Sequence, residues 1–274
     1  MYYGEYMKID GKAIAEKIIE RIKTRKTKKF LAVFFVGHDA SSKSFINQKE
    51  KLAKALGVDF RVYHFPEEKV TNDFLRAEIR KIVDHSTCGG ALLQLPLPSG
   101  LNAQYAMNVI PREKDVDVLG ERALGAFYAG RNPVLPTAVG VFEEIVRVRN
   151  ADLKKAIVAV VGIGPLVGKP ISTWLRGNAA EIYALDKGSD LGVLKRADIV
   201  VCGTGVPKLV SAGMLKERAL VIDFGYGMID GKVSGDFDAE SVLENPEISY
   251  TPTPGGTGPV LVAKLFENFL QLAK

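Results

Sequence analysis

Hydrophobic positions in the first half of the chain alternate between a spacing typical of helices and a spacing typical of buried strands. Isoleucines recur every four residues within residues 10–28, which predicts a helix with one apolar face. Residues 30–36 are a continuous apolar run rich in aromatic and β-branched side chains, so a buried strand is predicted there. Alternation of this kind indicates an α/β fold in which helices cover a parallel sheet.

The same two spacings continue to the end of the chain. Further helices are predicted over residues 41–56, 72–85, 102–109, 137–149 and 259–274, and further strands over residues 58–65, 91–95, 156–161, 181–185, 198–202 and 220–224. Residues 111–136 interrupt the rhythm with repeated glycines and prolines. A connection this long is either functional or a linker, so a domain boundary is predicted near its end.

A glycine-rich run follows the predicted strand 156–161 and precedes a predicted helix. Gly162, Gly164 and Gly168 lack side chains, which allows backbone N–H groups and the positive helix end to approach a pyrophosphate. The spacing G-x-G-x-x-x-G is one residue longer than the usual fingerprint. A dinucleotide site is therefore predicted, with a turn that packs a helix as the alternative.

Residues after the next two strands extend this predicted site. Asp186 ends the strand that follows, where an acidic side chain can bind ribose hydroxyls. Its charge would repel a 2′-phosphate and favours NAD over NADP, although Lys187 can offset that charge. An aspartate that only forms a turn or helix cap is an equal alternative. The predicted strand 198–202 is directly followed by Gly203, Thr204 and Gly205.

Lys49 lies on a largely apolar face of the predicted helix 41–56, one turn after Phe45. Desolvation favours the neutral form of a lysine, and a lowered pKa makes the amine useful in proton transfer near neutral pH. The alternative is a lysine that reaches from the edge of the apolar face to water.

Three further groups of polar or small residues occupy positions that suggest a ligand site. Gln94 is placed at the carboxyl end of a predicted strand, where parallel sheets bind ligands. Asp115 and Asp117 lie in the long connection, and residues 253–259 form a glycine-rich turn before the last helix. Each group also has a purely structural explanation. Gln94 can be a residue of an edge strand, the two aspartates can form turns, and the glycines of residues 253–259 can form a tight connection.

Composition and charge restrict the class of protein. The net charge of +5 mildly favours anionic ligands, and the basic cluster at residues 21–29 lacks the interleaved aromatics of a nucleic-acid groove. Cys88 and Cys202 are too few for a cysteine metal cluster and fit a reducing compartment, so no metal is predicted. The longest uncharged apolar run is too short to span a bilayer, and the first ten residues contain no apolar signal segment. A cytoplasmic, soluble protein without nucleic-acid or membrane partners is expected.

Five motifs in order resemble the bifunctional methylenetetrahydrofolate dehydrogenase/cyclohydrolase (FolD) family over nearly the whole chain. Residues 36–49, 94–98, 114–117, 162–170 and 253–259 are similar to that family's VGxxxxSxxYxxxK, QLPLP, KDVDG, GxSxxVGxP and VPGGVGP motifs. The resemblance implies oxidation of 5,10-methylenetetrahydrofolate by a nicotinamide dinucleotide, followed by hydrolysis of the methenyl product to 10-formyltetrahydrofolate.

The resemblance also implies roles for particular residues and an overall architecture. Lys49 is implied as the catalytic lysine, Gln94 as its partner and Asp117 as the anchor of the pterin ring. The implied folate-binding residues are Phe45, Gly255, Gly256 and Pro259. Residues 1–136 plus 259–274 are expected to form a folate-binding catalytic domain, and residues 137–258 a Rossmann-type NAD(P)-binding domain. A cleft between the two domains and a homodimer are expected.

Two departures from the family pattern concern the catalytic half. Phe45 replaces a tyrosine and loses a hydroxyl near Lys49, and Val118 replaces the glycine after the second aspartate. The loss of the tyrosine leaves open a monofunctional dehydrogenase with weak cyclohydrolase activity. Together with the serine that Gly164 replaces, it also leaves open a non-catalytic module that senses nucleotides.

Other departures concern the dinucleotide. Gly164 replaces a serine, and Ile163 and Asp186 lie where relatives that use NADP often carry a ligand for the 2′-phosphate. The family as a whole favours NADP, whereas Asp186 favours NAD. NADP is predicted, with Lys187 and Ser189 as phosphate partners and NAD as the alternative.

Overall fold

Within residues 8–274, the part of the chain that a computed structural model describes, most predicted apolar runs form strands and most amphipathic segments form helices, which confirms the α/β class. The helices are α1 (Gly11–Ile22), α2 (Ala40–Leu56), α3 (Asn72–Val83), α4 (Ala103–Met107), α5 (Glu121–Tyr128), α6 (Thr137–Val148), α7 (Gly168–Leu175) and α8 (Thr257–Leu272). The strands are β1 (Phe30–Val36), β2 (Phe60–Phe65), β3 (Cys88–Leu93), β4 (Ile157–Val161), β5 (Glu181–Leu185), β6 (Ile199–Cys202), β7 (Leu220–Asp223), β8 (Gly227–Ile229), β9 (Lys232–Ser234) and β10 (Ser249–Tyr250).

The described chain divides into two units. We call residues 17–137 with 262–274 the lysine unit, and residues 8–16 with 138–261 the nucleotide unit. The predicted domain division differs from these units mainly in placing residues 8–16 with the first domain, and it stays a prediction. Residues 1–7, which belong to the stretch predicted to lack a signal segment, lie outside the described residues. None of the helices in the described part is long and apolar enough to cross a membrane.

The lysine unit contains a parallel three-stranded sheet in the order β2-β1-β3. The central strand β1 is buried along its whole length because it has apolar clusters on both faces. Val33 belongs to one cluster with Phe269 of α8, and Phe34 belongs to the other with Ile79 of α3. Burial on both faces explains why β1 is continuously apolar instead of alternating.

The long connection contains a helix that the sequence patterns did not predict. Helix α5 occupies residues 121–128, where glycines and prolines indicated irregular structure. Ala123 of α5 packs with Val118 and Val134 in a small apolar cluster of the same connection. This short helix is therefore stabilised by packing within its own segment, which local propensity does not reveal.

The nucleotide unit contains a parallel five-stranded sheet in the order β10-β7-β6-β4-β5. Val161 at the end of β4 pairs in register with Leu185 of β5 and with Cys202 of β6. The carboxyl ends of these three strands therefore lie side by side, which is the edge where open parallel sheets bind ligands. The short strands β8, β9 and β10 were not predicted, because two or three residues are too few to show a period.

Candidate active site

A cavity of about 620 Å³ opens in the nucleotide unit at the carboxyl edge of its sheet. The register of β4, β5 and β6 brings the residues after each strand to this one place. Residues predicted to bind a dinucleotide that line the cavity are Gly162, Ile163, Gly164, Asp186, Lys187, Ser189, Gly203 and Thr204. Gly205 lies between the lining residues Thr204 and Val206, and Gly168 is outside the lining. The binding role of all these residues stays a prediction.

Two of the three glycines in the loop are required by close packing of the backbone. Gly162 has a φ of +91°, and a Cβ there would lie 2.7 Å from the carbonyl oxygen of Gly203. A Cβ at Gly168 would lie 1.9 Å from the carbonyl oxygen of Gly162. A Cβ at Gly164 would meet no atom within 4 Å. The loop can therefore accept the serine that the family pattern has at Gly164, but it excludes side chains at the other two positions.

Helix α7 begins at this loop without a side-chain cap. Its N-cap residue is Val167, whose side chain cannot accept a hydrogen bond. N–H groups in the first turn of a helix lack intrahelical partners and favour an anion. In α7 the Lys169 N–H donates to the Gly164 carbonyl oxygen at 3.0 Å and Pro170 has no N–H, so the Gly168 N–H is the first-turn donor that remains for an anion. The local structure thus fits the pyrophosphate of a dinucleotide.

Asp186 lies in a tight turn at the mouth of the cavity. Its Oδ1 accepts a hydrogen bond from the Lys187 N–H at 2.9 Å, and its own N–H donates to Ser189 Oγ at 3.0 Å. All three residues are exposed. The turn role of Asp186 is therefore present in the structure. The residue also lines the cavity, and its ribose role stays a prediction.

Two buried aspartates behind the cavity were not predicted as functional. Asp236 accepts hydrogen bonds from the loop after β6, and Asp223 at the end of β7 accepts from the N–H groups of Gly225 and Phe237 at 2.7 and 3.0 Å. Burial raises the pKa of Asp223 to about 6, and the nearby charge of Asp236 adds to this effect. The sequence did contain a signal for Asp223. It is an acidic residue at the end of an otherwise apolar strand, Leu220–Asp223, in which no side chain is expected to face solvent.

In the lysine unit, α2 presents Lys49 toward the carboxyl end of β3. The Asp39 side chain caps this helix by accepting the Ser42 N–H at 2.7 Å, and Gly57 ends it in a left-handed conformation with φ of +70°. Phe45 and Lys49 are one turn apart and are both half-buried. The cap and the terminating glycine thereby fix which face of α2 carries the lysine.

Lys49 and Gln94 form a direct contact. Lys49 Nζ donates a hydrogen bond to Gln94 Oε1 at 2.8 Å. A second hydrogen bond orients the amide of Gln94, since its Nε2 donates to the Leu95 carbonyl oxygen at 2.8 Å. Burial lowers the pKa of Lys49, while the negative charge of Asp117 opposes that effect. The structure thus brings together Lys49, Gln94 and the charge of Asp117, the three residues predicted as catalytic.

Asp115 supports the turn that carries Asp117. It is buried, and its carboxylate accepts the N–H groups of Val118, Leu119 and Gly120 at 2.8, 3.0 and 2.8 Å. Burial raises the pKa of Asp115 to about 6 despite these three donors. Val118 has a φ of +58°, a left-handed conformation that is costly for a β-branched residue. This backbone explains why the family motif has a glycine at that position.

The predicted folate-lining residues Gly255, Gly256 and Pro259 belong to the nucleotide unit, close to its N-terminal segment. The carbonyl oxygen of Gly255 accepts the Gly11 N–H at 3.1 Å, and Gly255 has a φ of +101°. A Cβ at Gly256 would lie 2.5 Å from the Pro252 carbonyl oxygen. The glycines therefore do form the tight connection that was the structural alternative for residues 253–259. Contact of these residues with folate stays a prediction.

Comparisons with known proteins give one consistent result. Residues 9–117 match the protein family described as tetrahydrofolate dehydrogenase/cyclohydrolase, catalytic domain, and residues 135–274 match its NAD(P)-binding domain. The chain is 34% identical over 275 residues to a protein of Exiguobacterium sibiricum named Bifunctional protein FolD, with 97% of this chain and 99% of that protein covered.

Solved structures agree with the sequence matches. The bifunctional FolD methylenetetrahydrofolate dehydrogenase/cyclohydrolase of Campylobacter jejuni has a TM-score of 0.90 and 30% identity, with 96% of this chain and 97% of that chain covered. The methylenetetrahydrofolate dehydrogenase-cyclohydrolase of Trypanosoma brucei, complexed with NADP cofactor and inhibitor, has a TM-score of 0.86 and 27% identity, with 97% and 96% covered.

Proposed function

Because this chain belongs to the tetrahydrofolate dehydrogenase/cyclohydrolase family, we propose that it oxidises 5,10-methylenetetrahydrofolate with NADP and hydrolyses the methenyl product to 10-formyltetrahydrofolate. Relatives over nearly its full length are named as bifunctional, and the chain is an enzyme of this kind. The non-catalytic sensing module is therefore set aside. Within the molecule, the contact between Lys49 and Gln94 is the observation that carries the proposal.

The dehydrogenase half uses the cavity of the nucleotide unit. When bound there, NADP would supply the hydride acceptor for oxidation of the methylene carbon of the folate to the methenyl cation. The chain contributes backbone geometry: Gly162 and Gly168 allow the loop backbone to pack closely, and the Gly168 N–H at the start of α7 is a donor for the pyrophosphate. Asp186 and Lys187 lie where they can bind the adenosine ribose or its phosphate.

The cyclohydrolase half uses Lys49 for proton transfer. Water adds to the methenyl carbon, one of the two carbon–nitrogen bonds of that carbon breaks, and one proton is released. A neutral amine can accept the proton from the attacking water, and its lowered pKa favours that state. Gln94 Oε1 accepts a hydrogen bond from the Lys49 amine and so holds the amine nitrogen in place. A neutral lysine also places no like charge beside the cation.

Asp117 is proposed to anchor the pterin ring. A carboxylate can accept hydrogen bonds from neighbouring N–H and amino groups of a heterocycle. The buried Asp115 fixes the turn that carries Asp117 through three backbone hydrogen bonds. The anchor is thereby preorganised, which reduces the loss of conformational freedom on binding.

A paired assay with purified protein tests the proposal. We expect reduction of NADP in the presence of 5,10-methylenetetrahydrofolate and, separately, hydrolysis of the methenyl compound without any dinucleotide. A protein with neither activity contradicts the proposal. Reduction without measurable hydrolysis instead supports the monofunctional alternative, for which the specific observation is Phe45 in place of tyrosine.

Phe45→Tyr should raise the rate of methenyl hydrolysis about threefold to tenfold. The change adds a hydroxyl one helical turn from Lys49, and one hydrogen bond is worth about 1 kcal/mol. The rate of NADP reduction should stay within twofold, because hydride transfer from the methylene carbon requires no proton transfer at Lys49. Phe74→Tyr is the matched control, since Phe74 is a partly exposed phenylalanine on α3. Equal hydrolysis by the wild type and Phe45→Tyr would show that the missing hydroxyl has no effect.

The proposal includes a preference for NADP over NAD. The NADP-bound relative from Trypanosoma brucei supports NADP. Lys187 and Ser189 line the cavity and are the proposed partners of the 2′-phosphate. The carboxylate of Asp186 opposes the 2′-phosphate by like-charge repulsion.

Asp186→Ser should raise the ratio of kcat/KM for NADP to that for NAD about tenfold, because it removes this repulsion. Asp190→Ser is the control, since Asp190 is an exposed aspartate that caps the short helical turn beginning at Leu191. Initial rates with each dinucleotide measure the effect. An unchanged ratio in Asp186→Ser would mean that this carboxylate does not set cofactor preference.

A homodimer and a cytoplasmic location complete the proposal. The homodimer comes from the family resemblance, and the cytoplasmic location comes from the two cysteines, which fit a reducing compartment. Sedimentation velocity of the full chain measures the oligomeric state. A monomer at micromolar concentration would contradict the proposed oligomeric state.

A further inference from the structure

A single buried carboxylate holds the loop that follows β6. Asp236 is fully buried, and its Oδ2 accepts the Thr204 N–H at 2.5 Å, the Thr204 hydroxyl at 2.8 Å and the Gly205 N–H at 3.2 Å. Its Oδ1 has no hydrogen-bond partner within the described part of the chain. Burying a carboxylate is costly without donors, so three donors directed at one oxygen form a strong link between Asp236 and this loop.

These hydrogen bonds determine which way the peptides of the loop point. In a planar trans peptide, the N–H of one residue and the carbonyl of the preceding residue point in opposite directions. Since the N–H groups of Thr204 and Gly205 point toward Asp236, the carbonyl oxygens of Gly203 and Thr204 point away from it. The Gly203 oxygen would lie 2.7 Å from a Cβ at Gly162, which places it toward the loop after β4.

The residues on that side of the loop are the lining of the nucleotide cavity. Gly162, Gly203 and Thr204 all line it. The loop therefore presents carbonyl acceptors to the cavity and keeps two N–H donors inside the protein. A surface of this kind recognises ligand groups that donate hydrogen bonds, such as sugar hydroxyls or a carboxamide N–H.

Asp236 is itself held from several elements, so its carboxylate cannot readily rotate away. Its N–H donates to Asp223 Oδ1 at 3.3 Å, and its carbonyl oxygen accepts the Val210 N–H at 3.0 Å. Gly225 packs directly against it, since a Cβ there would lie 2.2 Å from Asp236 Oδ1. The segment after β9, the end of β7 and the loop after β6 are thus connected through the backbone and side chain of one residue, Asp236.

We propose that Asp236 is a positioning residue for the dinucleotide. It turns two N–H groups of the loop inward, so that the carbonyl oxygens of Gly203 and Thr204 accept hydrogen bonds from hydroxyl or carboxamide donors of the bound dinucleotide. The inference rests on the proposed function in taking this cavity as the dinucleotide site. Without the carboxylate, the two peptides lose the partner that sets their orientation, and the cavity loses its fixed acceptors.

Asp236→Ala, Asp236→Asn and a control, Asp238→Asn, test this role. Asp238 lies two residues along the same segment, and its side chain interacts with Lys208 and the Glu240 N–H instead of with the cavity loop. We expect Asp236→Ala to raise the KM and the Kd for NADP at least tenfold. Asp236→Asn keeps one acceptor oxygen and should recover most of that loss. Asp238→Asn should match the wild type.

Hydrolysis of the methenyl substrate without dinucleotide separates positioning from general loss of structure. We expect that rate to stay within twofold in Asp236→Ala, while the KM for NADP rises. Folded Asp236→Ala with wild-type affinity for NADP overturns the inference. A wild-type protein that binds neither NAD nor NADP overturns the proposed function, and the inference with it.

If Asp236→Ala gives no cooperative thermal unfolding, a crystal structure of the wild type with NADP decides the question. Gly203 and Thr204 carbonyl oxygens within hydrogen-bond distance of donor groups on the dinucleotide support the inference. Carbonyl oxygens that contact no donor of the bound dinucleotide overturn it.

Discussion

Lys49→Met should lower the rate of methenyl hydrolysis by about 10²- to 10⁴-fold, the range for loss of a positioned acid or base. Methionine keeps the length and apolar stem of the side chain but cannot accept a proton. Binding of NADP should be unchanged, because Lys49 lies in the lysine unit and the nucleotide cavity lies in the other unit. The hydrolysis rate and the NADP dissociation constant, measured on the same preparation, check both expectations.

The matched control for this change is Lys51→Met, on the same helix. Lys51 is exposed and lies two residues after Lys49, so its removal alters charge without touching Gln94. We expect wild-type hydrolysis in this control. Wild-type hydrolysis in Lys49→Met would reject the assignment of the lysine.

The pH dependence of hydrolysis provides a second measurement on Lys49. The neutral fraction of the amine increases as the pH rises through its pKa, so the rate should increase in that direction and then level off. Because burial lowers the pKa of Lys49 below the ordinary value of about 10.4, the rise should occur at a lower pH than for an exposed lysine. A rate without this rise would contradict a role for the neutral amine.

Gly168→Ala should weaken NADP binding at least a hundredfold or prevent folding of the nucleotide unit. The added Cβ would lie 1.9 Å from the carbonyl oxygen of Gly162 and 2.8 Å from the Cα of Ile163, so the backbone of the loop has to move. Movement at this point displaces the Gly168 N–H, at the start of α7, from the pyrophosphate. Calorimetric titration with NADP and thermal unfolding measure the two outcomes.

Gly164→Ser provides the comparison within the same loop. A Cβ at Gly164 meets no atom within 4 Å, and the family pattern has serine there. We expect this variant to fold and to bind NADP at least tenfold more tightly than Gly168→Ala. If the two variants bind equally well, close backbone packing is not what the loop requires of its glycines.

Several features of the fold and site follow from local sequence patterns. Strand β1 is recognisable because it is apolar at every position, and the structure buries it on both faces. The motif residues Lys49 and Gln94 were predicted as partners through the family resemblance, and the structure places them in contact. The loop from Gly162 to Gly168 is recognisable because glycine is the residue that permits such close backbone approach.

Other features depend on contacts between distant segments and so were not predicted. Helix α5 was missed because its glycine-rich surroundings resemble a loop, and packing of Ala123 stabilises it. Asp115 was expected among the polar groups near the substrate, yet the structure uses its carboxylate to hold three backbone N–H groups. An aspartate at a turn has the same local sequence signal whether it faces a ligand or the backbone.

By itself, the sequence determined the α/β class, the order of the motifs and the chemistry available at Lys49 and in the glycine loop, because these depend on residue type and short-range spacing. Only the tertiary structure decided what Asp236 does. Its partners Thr204 and Gly205 are about thirty residues away, and pairing of β6 with its neighbours brings them within reach of a carboxylate that solvent does not reach. Such a contact depends on the register of a sheet, which no local pattern encodes.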